Sequence, residues 1–511
     1  MTAPAWATSA RRGPRLGVDV APAVSLVGTL LKYLSLAFLF PTAIALGYGE
    51  PVWPFLAAGG VTAVVGFALE RSTPSGEGVG AREGYLTVAL LWLAAPAAGA
   101  LPYLFSGESQ LASPVDAYFE AMSGFSTTSS SVLTDVEGLT HSLAMWRQFT
   151  VWLGGMGILV LALAVLPRLR VGGRQLFGLE AAGPEVEPLT VTIRETARRF
   201  LLLYFGITAL EILALSTVAW TGLDKRMSFY EAVAHTFTTL GTGGFSTRAG
   251  SFAEFGAASQ WIVSAFLIVA GTNYALMYRA VIRRRPGLFA RDDEFRVYLL
   301  LVVVAAGVLL ATLWNEGIAR DEEAVRLAVF QTASIITTTG FSSADFNTWP
   351  VLAAIVLVGL MFFGPSAGST GGSVKVVRHV LVGRILRREL AQTVHPELVA
   401  PVRLNGVVVD ERALRAVIVF VLLYVGCFAL GTLALVLDAA RTGLDLSPFQ
   451  AIAAAATTLS NTGPGLGFAG PMGSFDPFSD VSKLILTGLM FLGRLEIIPI
   501  AVLFTRTYWR R

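Results

Sequence analysis

Four short polar stretches interrupt a chain that is otherwise strongly apolar: Ser126-Thr127-Thr128-Ser129, Gly241-Thr242-Gly243-Gly244, Thr337-Thr338-Thr339-Gly340 and Ser460-Asn461-Thr462-Gly463. They share small hydroxyl, amide and glycine residues, and three of them end in glycine. Such residues suit a selectivity filter of the potassium type, in which backbone carbonyls replace the hydration shell of the ion. Aiming successive carbonyls at one axis needs backbone conformations that glycine adopts readily and residues with a β-carbon resist. One stretch alone would read as an external turn between helices. Four in equivalent positions point to a ring of carbonyl oxygens around a pseudo-fourfold axis.

Two further features bear on such a pore. The run Gly364-Pro365-Ser366-Ala367-Gly368-Ser369-Thr370-Gly371-Gly372 cannot sustain a helix. It is expected either to unwind a span beneath the filter, as a plug built on Gly364, Gly368, Gly371 and Gly372, or to mark the end of a helix followed by a turn. Arg494 sits near the middle of the last apolar segment. An arginine at that depth is costly and usually faces a wet interior or a partner. In the pore it would raise a barrier to cations below the filter; the alternative is a structural pairing with a carboxylate on another helix. His235 reads as a packing or hydrogen-bonding residue, and Glu211 has no evident role.

The elements that must position these residues follow from hydropathy. Of the 511 residues 54% are hydrophobic and only 14% charged, against about a quarter charged in soluble domains. Mean hydropathy is +0.65. Stretches of roughly 20 apolar residues, enough to cross a bilayer, recur along the whole chain. Two come first, over 24–46 and 54–69, with Lys32 placed to snorkel from the former. A pattern then repeats four times: long apolar helix, short amphipathic stretch, Thr/Ser/Gly segment, second long helix. The paired helices are expected over 85–104 and 145–166, 200–220 and 261–281, 297–314 and 351–363, and 414–437 and 484–504. The fold class is therefore an all-α membrane protein of ten spans, two N-terminal helices plus four helix–pore loop–helix units around one pore. The accessory pair occupies 1–80 and the units 81–175, 195–286, 292–390 and 410–511.

Lys and Arg cluster in the connections between units: Arg168, Arg170, Arg174, Arg194, Arg198 and Arg199, then Arg283, Arg284, Arg285 and Arg291, then Lys375, Arg378, Arg384, Arg387 and Arg388. The connections within units are far poorer in them. The excess of positive charge marks the cytoplasmic side, so both termini are expected there and the four polar segments are reached from outside. Arg11, Arg12 and Arg15 precede the first apolar segment, which is long and lacks a small-residue cleavage pattern; it reads as a retained helix rather than a signal peptide. Between Arg378 and Arg415 lies the longest polar connection, a docking surface rather than a domain.

Other classes fare worse. A net charge of +3 implies no nucleic-acid partner. One cysteine, Cys427, and four scattered histidines build neither a disulfide framework nor a metal enzyme. An intramembrane enzyme would need acid/base or metal-binding clusters near one interface. A coupled secondary transporter also uses discontinuous helices and repeats, but repeats in one orientation with external pore loops favour a channel-like pathway.

On these residues the chain resembles the TrkH-like subunits of the Trk/Ktr/HKT superfamily of potassium transporters. The resemblance runs through Arg82-Glu83-Gly84-Tyr85, Phe330-Gln331, Thr337-Thr338-Thr339-Gly340-Phe341, Ala367-Gly368-Ser369-Thr370-Gly371-Gly372, Asn461-Thr462-Gly463-Pro464-Gly465-Leu466-Gly467 and Gly493-Arg494-Leu495-Glu496. The two additional N-terminal helices match TrkH rather than the shorter Ktr subunits. The resemblance implies potassium as the transported substrate, with no covalent cofactor, in the bacterial inner membrane. It implies one pore per protomer and a homodimer, regulated by a cytosolic ring of TrkA-like nucleotide-binding subunits; nucleotide would act only through that partner. It places Thr127, Thr128, Thr242, Gly243, Gly244, Thr338, Thr339, Gly340, Asn461, Thr462 and Gly463 on the ion path, where they would bind potassium. It identifies the run from Gly364 to Gly372 with an intramembrane gating loop and Arg494 with a pore arginine. One residue departs from it: Ser129 stands where bacterial members usually have the first filter glycine. A left-handed non-glycine residue costs about 1–2 kcal/mol, and in the plant relatives serine there accompanies sodium permeation. A sodium-permeable or poorly selective pathway is the alternative this implies.

Overall fold

Long apolar helices alternate along the chain with short ones that are buried over their C-terminal halves. The computed structural model describes residues 18–72, 80–164 and 193–510. Arg11, Arg12 and Arg15, and Arg168, Arg170 and Arg174 of the first connection, lie outside the described residues. Among the described residues six helices are long and apolar enough to cross a bilayer unaided: Val20–Tyr48, Trp53–Ser72, Arg82–Ser106, Glu195–Thr221, Asp293–Asn315 and Glu411–Thr442. Their outer faces carry large apolar side chains such as Leu202, Val303 and Leu422, exposed by 62%, 67% and 67%. In water that surface would be costly; against lipid tails it is not. Lys32, expected to snorkel, pairs with Glu70 on the neighbouring N-terminal helix.

The last four of these six helices open the four units. The helices that close the units are less regular than expected. Only the first, His141–Ala164, is described as one unbroken helix. The expected span 261–281 is two pieces: Ala257–Ala270 is followed, after a bend of 98°, by a segment from Tyr274 to Ile282. The freed backbone finds partners at the bend. Gly271 O accepts from Ser366 N at 3.0 Å, and the Asn273 side chain caps the new helix through Ala275 N and Leu276 N. In unit three, Val351–Leu360 stops after 10 residues, about half a bilayer at 1.5 Å per residue. The chain then runs irregularly to Val376–Val394. The final span 484–504 divides too: Asp480–Arg494 ends at Arg494, and Ile498–Leu503 follows. Glu496 and Ile497 have φ of 58° and 54°, which no helix accommodates. Arg494 is thus the last residue of a helix, not the middle of one.

The expected polar connection after Arg378 is mostly ordered structure. Helix Val376–Val394 occupies its first half, and Arg403–Leu404 pairs antiparallel with Val407–Val408 in a two-stranded hairpin.

Four short helices precede the polar segments: Pro114–Phe125, Phe229–Gly241, Asp321–Ile336 and Pro448–Ser460. Their starts are written in sequence. Ser113, Ser228 and Ser447 accept from backbone N–H groups of the first turn, with Pro114 and Pro448 at the first helical position. Gln450 completes a capping box with Ser447. The third helix lacks a side-chain cap and instead begins Asp321-Glu322-Glu323, complementing its positive end. Every residue from Ala451 to Ser460 except Ile452 is buried, and Phe330 to Ile336 are all buried. Helix ends enclosed on all sides belong in the interior of the bundle.

Candidate ion pathway

The four short helices end in one and the same way. The second residue of each polar segment, Thr127, Thr242, Thr338 and Asn461, is left-handed, with φ of 56°, 55°, 58° and 58°. Its N–H donates three residues back, to Gly124, Thr239, Ile335 and Thr458 respectively. The next N–H donates five residues back, Thr128 to Ser123, Gly243 to Thr238, Thr339 to Ser334 and Thr462 to Thr457, at 2.8–2.9 Å. These are Schellman endings, but glycine is the usual residue at the left-handed position. The three threonines there cost about 1–2 kcal/mol each and the asparagine less. Strain repeated at four equivalent points is the kind found at functional sites.

The four segments then meet in a closed ring. A β-carbon on Gly340 would lie 1.8 Å from Thr462 O, one on Gly463 2.6 Å from Thr128 O, and one on Gly244 2.6 Å from Thr339 O. In each case the fourth residue of a segment tucks against the third residue of the following one. The remaining seam joins Ser129 of unit one to Gly243 of unit two, whose β-carbon would sit 2.7 Å from Ser129 Oγ. Ser129 has φ of 62°, the strained state expected of it. Hydrogen bonds between units reinforce the ring: Asn461 Nδ2 donates to Thr128 Oγ1 at 2.9 Å, and Ser130 Oγ donates to Gly463 O at 2.8 Å. Hydroxyl pairs at 2.7–2.8 Å stiffen three of the segments, Ser126 with Thr128, Thr337 with Thr339 and Ser460 with Thr462. Each short helix runs C-terminus first into this ring, so four negative dipole ends converge on it, an arrangement that favours a cation.

On one side of the ring lies a cavity of about 300 Å³, bordered by Ser129, Arg147, Gly244, Phe245, Gly340 and Gly463. The buried Arg147 guanidinium lies 3.5 Å over the Phe245 ring, pairs with the buried Glu120 and donates to Ser246 O at 2.9 Å. Its positive charge is thereby neutralised. The sequence reading missed this pair, although a glutamate inside the first short helix was a usable signal. His235 is a packing residue as expected, bonded to Glu231 O and Ser246 Oγ at 2.9 Å each and walled by Phe252, Phe255 and Phe341. Glu211 is fully buried on the helix Glu195–Thr221.

On the other side lies the glycine-rich run, which is no terminal turn. A β-carbon on Gly371 would meet Thr337 O at 2.7 Å, and one on Gly372 would meet Ser460 O at 2.4 Å. Gly372 N donates to Thr338 Oγ1 at 2.7 Å, directly under the ring. Gly368 O accepts from Tyr274 N at 3.2 Å, so the break in unit three answers the break in unit two. Gly364 N is held by Val374 O at 2.8 Å across the base of the loop. Arg494, 2% exposed, donates to Thr370 O at 2.8 Å and to Gly154 O at 3.0 Å. It makes no ion pair among the described residues; Glu496 pairs with Arg378 instead. The carboxylate pairing considered for Arg494 is therefore replaced by two backbone carbonyls, one from the loop and one from unit one.

Bilayer-crossing helices around a ring of strained, carbonyl-bearing segments, with an irregular loop against one face, define a polytopic membrane transport protein. The family model TrkH, described as a cation transport protein, matches residues 55–510. The Trk system potassium uptake protein TrkH of Escherichia coli (strain K12) is 35% identical over 491 residues, covering 95% of this chain and 98% of its own. The protein TrkI of Halomonas elongata, of the same description, is 33% identical over 434 residues, 84% of each chain. The crystal structure of the potassium transporter TrkH from Vibrio parahaemolyticus superposes with a TM-score of 0.85 at 31% identity, covering 96% of this chain and 100% of that one. The chain belongs to the TrkH family. Its relatives are transporters, and it is not an enzyme.

Proposed function

We propose that this chain takes up potassium across the bacterial plasma membrane through the ring formed by Thr127 to Ser129, Thr242 to Gly244, Thr338 to Gly340 and Asn461 to Gly463. The observation that carries the reading is the closed circuit of seams, in which each unit's segment packs against the next and all four share one strained ending. The relatives' descriptions as potassium uptake proteins support the choice of ion. In this reading the loop from Gly364 to Gly372 and Arg494 form the gate: the loop presses against two segments of the ring and Arg494 ties it to unit one. Potassium is substrate, not cofactor. The positive-charge bias of the connections supports cytoplasmic termini, and membership of a Trk system supports a cytosolic partner. We assign that partner as a TrkA-like nucleotide-binding ring on a homodimer.

A second reading, a sodium-permeable pathway, is favoured by one residue. Ser129 Oγ is buried, has no hydrogen-bond partner and borders the ring, adding a ligand the other three seams lack. Potassium and sodium flux into proteoliposomes separates the two. Potassium uptake with sodium largely excluded supports the first; comparable fluxes support the second; neither flux overturns both.

A further inference from the structure

The first residues of the helix that opens unit three hold the glycine loop. Glu294 is 5% exposed, and a single carboxylate oxygen, Oε1, accepts from Ala367 N at 2.6 Å and from Val377 N at 3.2 Å. Ala367 lies inside the loop, and Val377 lies in the first turn of the helix Val376–Val394 that follows it. Neither N–H has a helical acceptor, the first because the loop is irregular and the second because first-turn donors have none. One side chain therefore bridges the body of the loop and its exit. The residues before it make it a fixed post. Asp292 caps the helix through Phe295 N at 2.8 Å and accepts from Asn405 Nδ2 at 2.9 Å. Asp293 accepts from Asn405 N at 3.0 Å and from Arg384 at 2.8 Å. Asn405 forms the turn of the Arg403–Val408 hairpin, so the start of this helix is anchored from outside the bundle.

We propose that Glu294 is the positioning residue that holds the loop closed against the ring. The proposal rests on the reading of that loop as the gate. Among the described residues Glu294 makes no hydrogen bond or ion pair with a ring segment, so it acts on the pore only through the loop. Its Oε1 is the acceptor that both N–H groups share, and releasing them frees the loop from Ala367 to its exit without altering the ring.

Single-channel recording of the full-length protein in planar bilayers tests this, with Glu294→Met, Glu294→Gln and a variant lacking residues 366–369. Methionine keeps the length and removes the acceptor, so open probability is expected to rise about tenfold, the worth of one hydrogen bond lost from the loop. Glutamine keeps an acceptor oxygen of the same reach and is expected to raise it by no more than about threefold. Single-channel conductance and the potassium-to-sodium ratio stay at wild-type values in both, a split that general loosening of the fold would not produce. If the loop-shortened variant opens while both Glu294 variants stay as closed as wild type, Glu294 is not the latch and the gate reading survives. A loop-shortened variant as closed as wild type removes the gate reading, and the proposal with it. A changed conductance or ion ratio in Glu294→Gln would also overturn it, by placing the residue in the pore wall.

Discussion

Where unit three meets unit four, Gly340 lies so close beneath the Thr462 carbonyl that a β-carbon would come within 1.8 Å of the oxygen. Where unit one meets unit two, a serine stands in the same place, and it is the residue across the seam, Gly243, that lacks a side chain. Unit two is bare at its first position also. A β-carbon on Gly241 would lie 2.6 Å from Val151 O, because the helix His141–Ala164 presses against it. Unit two therefore has no hydroxyl pair of the kind that stiffens the other three segments. The two seams show that the ring is held by the space available at each junction rather than by one residue type at one position. The strain differs as well. Gly340 takes its φ of 83° without penalty, whereas Ser129 holds 62° at a cost of about 1–2 kcal/mol.

Substitutions at the seams should rank by the obstacle each side chain meets. Gly340→Ala has the largest expected effect. The new methyl meets backbone rather than a movable side chain, in a left-handed conformation, and the ring must open at that seam. Discrimination between potassium and sodium in proteoliposome flux should fall at least about tenfold, from a displacement worth more than about 1.4 kcal/mol. Gly243→Ala comes second, because its closest neighbours are the side-chain atoms Ser129 Oγ and Val151 Cγ1, both at 2.7 Å. Flux should fall several-fold, and Ser129→Gly in the same chain should restore part of it. Strict additivity of the two changes would mean that the residues do not share a seam. Ser129→Gly alone has the smallest effect. It removes a strained conformation, and thermal unfolding in detergent should show a gain of about 1 kcal/mol at most, the unfolded chain's added freedom offsetting part of the relief. A loss of stability would mean that the serine side chain is a packing element of the ring.

Much of this was legible in sequence because its causes are local. Hydropathy marks the long helices, serine caps and prolines mark the starts of the short ones, and the Thr/Gly segments lie where the chain leaves them. What escaped depends on partners far along the chain. The bend at Gly271 to Asn273 is completed by Ser366 and Gly368 of unit three. The acceptors of Arg494 lie 124 and 340 residues away, and the donors to Glu294 lie 73 and 83 away. The two consecutive positive-φ residues Glu496 and Ile497 carry no signal at all, since neither residue type favours positive φ and isoleucine resists it. The helix inside the polar connection after Arg378 did not show in hydropathy because it is amphipathic and basic rather than apolar.

Anomalous scattering from crystals soaked in rubidium or thallous ion tests the central claim most directly. Peaks are expected on the axis enclosed by the four segments, coordinated by backbone carbonyls at the level of Thr128, Gly243, Thr339 and Thr462. Ions bound elsewhere in the bundle, with the axis unoccupied at saturating concentration, would contradict it.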